Sequence, residues 1–239
     1  GCWDIDARIA DMDAAGIAAS VCFPSLIAGF SGAVFSRSED PELGLACVQA
    51  WNDWHLDVWA NTHPGRIVPT QITWLLDPDV AAAMVRENAG RGFRALSFTE
   101  FPAMNRLPSL HSGHWDPLLE ACAETDTILC LHTGSASWAP VPTTDPPFEL
   151  LPTLFPVNAY LAASDWLWSG VCTRFPSLKI ALSEGGVGWV NMLADRVDYV
   201  LEHSASGTES CAWKDDRLPS EVLAEHFWFC SIDDPSTID

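Results

Sequence analysis

Residues 125–137 read TDTILCLHTGSAS. The apolar run Ile128-Leu129-Cys130-Leu131 is short and flanked by polar and turn residues, which is the pattern of a buried strand. It ends in His132, with Gly134 two residues on. An imidazole at that point has two readings. It is a core histidine bonded to a backbone carbonyl, or it is a metal ligand at the mouth of a barrel.

Working outward, strand-like runs alternate with helical patterns along the whole chain. DIDARIADMDAAGI (4–17) predicts a helix capped by Asp4 and ended by Gly16, with Ile5, Ile9 and Met12 on one face. AASVCF follows as a strand that stops at Pro24, and a long polar, glycine-containing loop runs on to Pro41. The next helix is expected over 41–66, then a strand in IVPTQITW. A helix follows at 77–92, with Asp77 as cap and Pro78 in its first turn. FRALSFTE predicts a strand, DPLLEACAET a helix with the same Asp-Pro start, and NAYLAASDWLWSGVCTRFP another helix. LKIALSE and HFWFCSI predict the last two strands, separated by the helix VNMLADRVDYVLEH, and DDPST reads as one more helix start.

That makes roughly six strand–helix units with strands that are mostly apolar rather than alternating, so both faces are covered and the sheet is parallel. A (β/α)8 TIM barrel and a doubly wound open sheet both satisfy this. No G-x-G-x-x-G or G-x-x-x-x-G-K-[ST] follows any strand. Polar residues gather at the C-terminal strand ends: Thr99-Glu100, His132-Thr133, Ser183-Glu184 and Asp233-Asp234. Those ends form the active-site face of a barrel. The expected fold class is therefore α/β, a single domain over 1–239 of TIM-barrel type.

The composition narrows the partners. Lys and Arg total 12 against 32 Asp and Glu, a net charge of −20. Such a chain repels nucleic acid and anionic membrane, so neither is expected as a partner. The uncharged run 14–36 is broken by Pro24 and several glycines and lacks the apolar length of a membrane helix. There are 8 cysteines but no CxxC pair, and Cys22, Cys130 and Cys230 sit in apolar runs. A reducing, cytoplasmic setting is expected.

A second strand end shifts the reading of His132. KIALSEGGVGWV (179–190) delivers Glu184 to the same rim, followed by Gly185-Gly186, which would let backbone approach a ligand closely. A carboxylate there is either catalytic or a structural cap. His111 and His114 lie on a loop and lack the fixed geometry of a helical pair. Asp233-Asp234 precede a proline in a capping pattern. His55 belongs to a helix lined by Trp51, Trp54 and Trp59, which reads as packing. Arg37, in the loop after the first strand, could pair with a substrate carboxylate. Trp74 and Trp189 could wall an aromatic pocket, or equally serve as barrel packing.

The order CLHTGS, then FPSLKIALSEGGVGW, then HFWFCSIDDP resembles the amidohydrolase-related metal enzymes, in the branch containing aminocarboxymuconate-semialdehyde decarboxylase. The segments MDAAGI and HPGR fit the same pattern, and the similarity runs through nearly the whole chain. The resemblance implies a distorted (β/α)8 barrel with a divalent metal, commonly zinc, at the C-terminal strand ends. It implies that His132 ligates that metal. Glu184 falls where the family often has a histidine acid or base. The family's strand-1 motif would precede Gly1 and its strand-8 aspartate would follow Asp239, so the chain is expected to hold strands 2–7 of an incomplete barrel. The open seam would call for a partner, such as a second copy. The function so implied is a metal-dependent carboxy-lyase (decarboxylase) or hydrolase acting on a small, aromatic or unsaturated carboxylic acid. The alternative is a metal-free, catalytically inactive barrel remnant serving as a binding or assembly module.

Overall fold

The computed structural model describes residues 3–25, 27–204 and 213–238. Its strands are β1 (Ser20–Val21), β2 (Ile67–Val68), β3 (Thr70–Gln71), β4 (Ala95–Phe98), β5 (Ile128–His132), β6 (Ile180–Ser183) and β7 (Phe227–Phe229). All neighbouring pairs are parallel, and the strands follow one another in chain order. β2 and β3 occupy one strand position, split at Pro69. Proline has no N–H to give the ladder, so β1 pairs with the first half and β4 with the second. The result is six strand positions in the order of a barrel wall. Among the described residues β1 and β7 each keep one unpaired edge, so the wall does not close.

The helices lie between the strands. They are α1 (Ile5–Ala14), α2 (Pro41–Trp54), α3 (Pro78–Arg91), α4 (Asp116–Glu124), the short α5 (Leu150–Thr153), α6 (Phe155–Trp168), the short α7 (Val171–Arg174), α8 (Val190–His203), α9 (Pro219–His226) and α10 (Pro235–Ile238). Asp4 caps α1 through the Ala7 N–H at 3.0 Å, and Asp77 caps α3 through the N–H groups of Asp79 and Val80. α4 departs from the expected Asp-Pro cap. Asp116 is its first helical residue, and the carboxylate pairs with Arg174 at 3.0 Å instead. The helix expected over 41–66 is also shorter. It changes to a π-helix over His55–Ala60, where His55 is stacked on Trp51 with ring centroids 4.9 Å apart. The helix expected to run on to Pro176 breaks at Gly170, whose φ is +71°.

The main core lies between β4–β7 and the surrounding helices. Phe98 of β4 meets Trp115 and Trp166 edge-on at 5.1 and 6.0 Å, and all three are buried. A smaller cluster under the first half of the wall contains Ala28, Val48, Ile72, Trp74 and Met84. Its polar fastening is Asn52 of α2. The Nδ2 group donates to the Ile72 carbonyl and Oδ1 accepts from the Ile72 N–H, both at 2.9 Å. The side chain thus completes the backbone bonding of a buried segment just past β3.

Both Ile72 backbone groups would be buried without a partner in Asn52→Leu. The expected cost is about 3 kcal/mol, from two unpaired polar groups. Chemical denaturation of the two proteins measures it, and an unchanged midpoint would show that the fastening contributes nothing.

Candidate active site

Strand register brings the two sequence candidates together. His132 is paired across the ladder with Ser183, and the Thr133 N–H donates to the Ser183 carbonyl at 3.1 Å. The residue after Ser183 is Glu184, whose Oε2 lies 3.6 Å from His132 Nε2. On the other side of the ring, Nδ1 is 2.8 Å from the Thr133 carbonyl oxygen. A carbonyl only accepts, so Nδ1 carries a proton, and the ring turns Nε2 toward Glu184. The imidazole is stacked on Phe30 at 4.2 Å and meets the edge of Phe23 at 4.8 Å. Phe30 is held in place because the Ser97 hydroxyl donates to its carbonyl.

Glu184 is not a buried carboxylate: the side chain is 55% exposed, against 10% for His132. Its backbone is in the left-handed region, at φ +59°. That conformation is costly for a residue with a Cβ and is typically tolerated where the side chain's direction matters. The two glycines after it serve packing rather than ligand approach. A Cβ on Gly185 would fall 2.4 Å from the Cβ of Ala159 in α6, and one on Gly186 would fall 3.1 Å from Asp234 Oδ1.

The buried carboxylate at the strand ends is Glu100, only 1% exposed. Its Oε2 accepts from the Gly134 N–H at 2.8 Å and the Ser135 hydroxyl at 3.3 Å, and Oε1 accepts from Asn158 Nδ2 at 2.5 Å. Its backbone takes part too: the N–H donates to Ser135 Oγ, and the carbonyl accepts from Trp166 Nε1. Glu100 therefore fastens β4, the loop after His132 and α6 to one another. Burial pushes its pKa from the ordinary 4.5 up to about 7, against the lowering effect of its hydrogen bonds. Asn158 Oδ1 is buried without a partner. Turning that amide over lets it accept from a protonated Glu100.

The other expected residues lie elsewhere. Trp74 is buried in the smaller core cluster, against Gly44 of α2. Trp189 is buried as well, with Nε1 bonded to the Gly185 carbonyl at 2.8 Å and its ring against Phe229 and Tyr160. Both are packing residues in this fold. Arg37 lines a neighbouring cavity, with Nη2 donating to Asn105 Oδ1 at 2.7 Å. His111 pairs with Asp165 at 2.8 Å and His114 sits edge-on to Trp115, neither near His132. Asp234 accepts from the Ile232 N–H. Phe23 and Phe30 were missed because nothing in a loop sequence foretells which aromatic rings fold back over a strand end.

As donors, His132 and Glu184 offer one nitrogen and one carboxylate oxygen to a point between them. Among the described residues no group of three or more His, Cys, Asp or Glu side chains could hold a metal ion. A catalytic zinc takes about three protein ligands; His132 Nε2 can supply one of them, and Glu184 stands beside that position.

Glu100 makes a pH-dependent contribution to stability. Its pKa is raised on folding, so that contribution is complete below about pH 4.5 and is lost as the pH rises to about 7. Over this window wild type should lose about 3 kcal/mol relative to Glu100→Gln, whose amide can bond the turned Asn158. Urea unfolding of both proteins from pH 4.5 to 8 checks this. A difference independent of pH would contradict it.

The amidohydrolase family model matches residues 1–233. No curated protein sequence matches the chain. Among solved structures, an amidohydrolase from Mycobacterium avium subsp. paratuberculosis is similar at 26% identity and a TM-score of 0.73, covering 98% of this chain and 60% of that one. The 5-carboxyvanillate decarboxylase of Novosphingobium aromaticivorans, solved with manganese and 4-hydroxy-3-methoxy-5-nitrobenzoic acid, has 21% identity and a TM-score of 0.69, over 94% and 62% of the two chains. For the 2,6-dihydroxybenzoate decarboxylase of Rhizobium the figures are 19%, 0.66, 94% and 68%. The chain thus spans about three fifths of the first of these structures. These likenesses support the α/β barrel-type fold, and the match over residues 1–233 establishes that the chain belongs to the amidohydrolase family, a family of enzymes.

Proposed function

We propose that this chain carries part of the active site of a metal-dependent carboxy-lyase acting on a small aromatic or unsaturated carboxylic acid. Hydrolysis is the other chemistry of the same site. The observation that carries the reading is the approach of Glu184 to Nε2 of a buried, hydrogen-bonded His132 at the C-terminal strand ends. The solved decarboxylases with this fold, one of them holding manganese, support it.

In this reading His132 Nε2 occupies one position on a divalent ion, zinc or manganese. Its orientation is fixed by the Thr133 carbonyl, the kind of outer bond that sets the tautomer of a ligating imidazole. A bound divalent ion would supply Lewis acidity toward a substrate oxygen. Glu184, exposed and held in a strained backbone, moves the proton to or from the reacting carbon or water. Phe30 and Phe23 flank the imidazole and give a planar acid an aromatic wall. The Glu100 fastening keeps the loop 133–136 in place behind the ring. Among the described residues no helix is long and apolar enough to cross a membrane. The described cysteines are all free, which supports a reducing, cytoplasmic setting. The unpaired edges of β1 and β7 are where a second copy would add.

A second reading, a metal-free binding or assembly module, rests on the ligand count given above. Manganese separates the two. Saturable Mn²⁺ binding, followed by water-proton relaxation, is expected in the wild type and lost in His132→Ala, and in the wild type it should broaden the His132 ring signals. Binding that survives His132→Ala would overturn the ligand assignment, and no binding at all would favour the metal-free module.

Glu184 offers a sharper separation of function from stability. Glycine relieves the left-handed strain, so Glu184→Gly should be at least as stable as wild type, by about 0.5–1 kcal/mol. The turnover of the metal-loaded enzyme in Glu184→Gln should fall roughly 10²–10⁴-fold with the metal retained. Thermal melts and a carbon dioxide release assay measure the two effects. Full turnover in Glu184→Gln would remove the proton-transfer role.

A further inference from the structure

Beside the His132 mouth lies a second cavity of about 560 Å³, enclosed by the loops after β1, β3, β4 and β5. It shares Ser137 with the cavity that contains His132 and Glu184. Its wall carries two guanidinium groups, Arg37 and Arg106, and no carboxylate. That is unexpected in a chain of net charge −20. Elsewhere Arg66, Arg86, Arg91, Arg174 and Arg217 each pair with an aspartate or glutamate. Among the described residues Arg37 and Arg106 have no such partner, as is also true of Arg8, Arg94 and Arg196, but they are the two that share one cavity.

Arg37 is set in position through its side chain, and Arg106 through its backbone. Arg37 Nη2 donates to Asn105 Oδ1 at 2.7 Å, and the buried Asn105 is itself anchored through Nδ2 to Thr99 Oγ1 at 2.8 Å. One N–H of the guanidinium fork is used on a neutral amide, and the others remain for an anion. Arg106 caps the 3-10 turn Pro102–Asn105 in the left-handed region, at φ +62°. A non-glycine residue held there is a strained point, of the kind that clusters at ligand sites. The rest of the wall is mixed, with Leu75, Leu76, Met104 and Leu107 beside Ser36, Asn105 and Ser137.

We infer that this cavity is a binding site for a small organic acid, with the carboxylate on Arg37 and Arg106 and the apolar body on the leucine and methionine wall. The leucine and methionine side chains favour an organic acid over an inorganic anion, which would leave them in water. Charge-assisted bonds from an arginine fork provide the discrimination for a carboxylate. The inference is independent of any metal at His132. Its consequence is a locally cationic entry for acids on the functional face of a strongly anionic protein.

Benzoate and inorganic phosphate are the probes, titrated calorimetrically into the full chain. Benzoate should bind, more tightly than phosphate, and more weakly as salt is raised. Arg106→Gln, at an exposed loop position, should weaken benzoate roughly tenfold, the size of one charge-assisted bond pair. Arg37→Gln should do the same, and Arg37→Lys, which keeps the charge but loses the fork, should weaken it in the same direction. Benzoate affinity unaffected by Arg106→Gln and by both Arg37 variants would overturn the site. Phosphate binding as tight as benzoate would overturn its assignment to organic acids.

Discussion

The geometry at the strand ends depends on a buried carboxylate that never meets the mouth. Glu100 leaves β4 and is met by the Gly134 N–H, the Ser135 hydroxyl and the Asn158 amide, while its own backbone bonds Ser135 and Trp166. A carboxylate at 1% exposure is costly unless each oxygen is satisfied. Satisfying them fixes the loop after β5 against β4 and α6. His132 is the last residue before that loop, and Thr133, whose carbonyl sets the imidazole tautomer, is its first. Asn105 extends the same network to Arg37, through its contacts with Thr99 Oγ1 and the Ser135 carbonyl. The metal-ligand candidate and the arginine cavity therefore lean on one set of buried hydrogen bonds.

The wall itself was legible because a parallel strand covered on both faces has to be written in apolar residues. All six strand positions were readable as such runs, and so were the aspartate caps of α1 and α3, which announce themselves in single residues. What was not legible came from distant partners. Asp116 reads as a helix cap until Arg174 takes its carboxylate. Pro69 splits a strand position that the apolar pattern presents as continuous. α9 was missed because PSEVLAEH is short and polar, and its hydrophobic residues identify themselves only against α8 and the core.

At the site the same division holds. His132 and Glu184 could be paired from sequence, because consecutive parallel strands deliver their ends to one rim. The roles of the two glutamates could not. Glu100 and Glu184 occupy equivalent places in their strand patterns, yet one is buried and the other half open. The difference is made by Gly134, Ser135 and Asn158, which lie 34 to 58 residues from Glu100. Gly185 likewise reads as a ligand approach until Ala159 of α6 is seen against it. The tryptophans offered no signal of their own, since a ring that walls a pocket and a ring that fills a core obey the same spacing.

The central claim is that His132 holds a proton on Nδ1, against the Thr133 carbonyl, and turns Nε2 toward Glu184 at the mouth. The nitrogen-15 spectrum of the imidazole at neutral pH tests it directly, with the resonances assigned by comparison with His132→Ala. The account predicts a protonated Nδ1, with Nε2 shifted on addition of a diamagnetic divalent ion such as zinc. A ring protonated on Nε2, its Nδ1 bare, would contradict it, because the Thr133 carbonyl would then hold nothing and the lone pair would point away from the site.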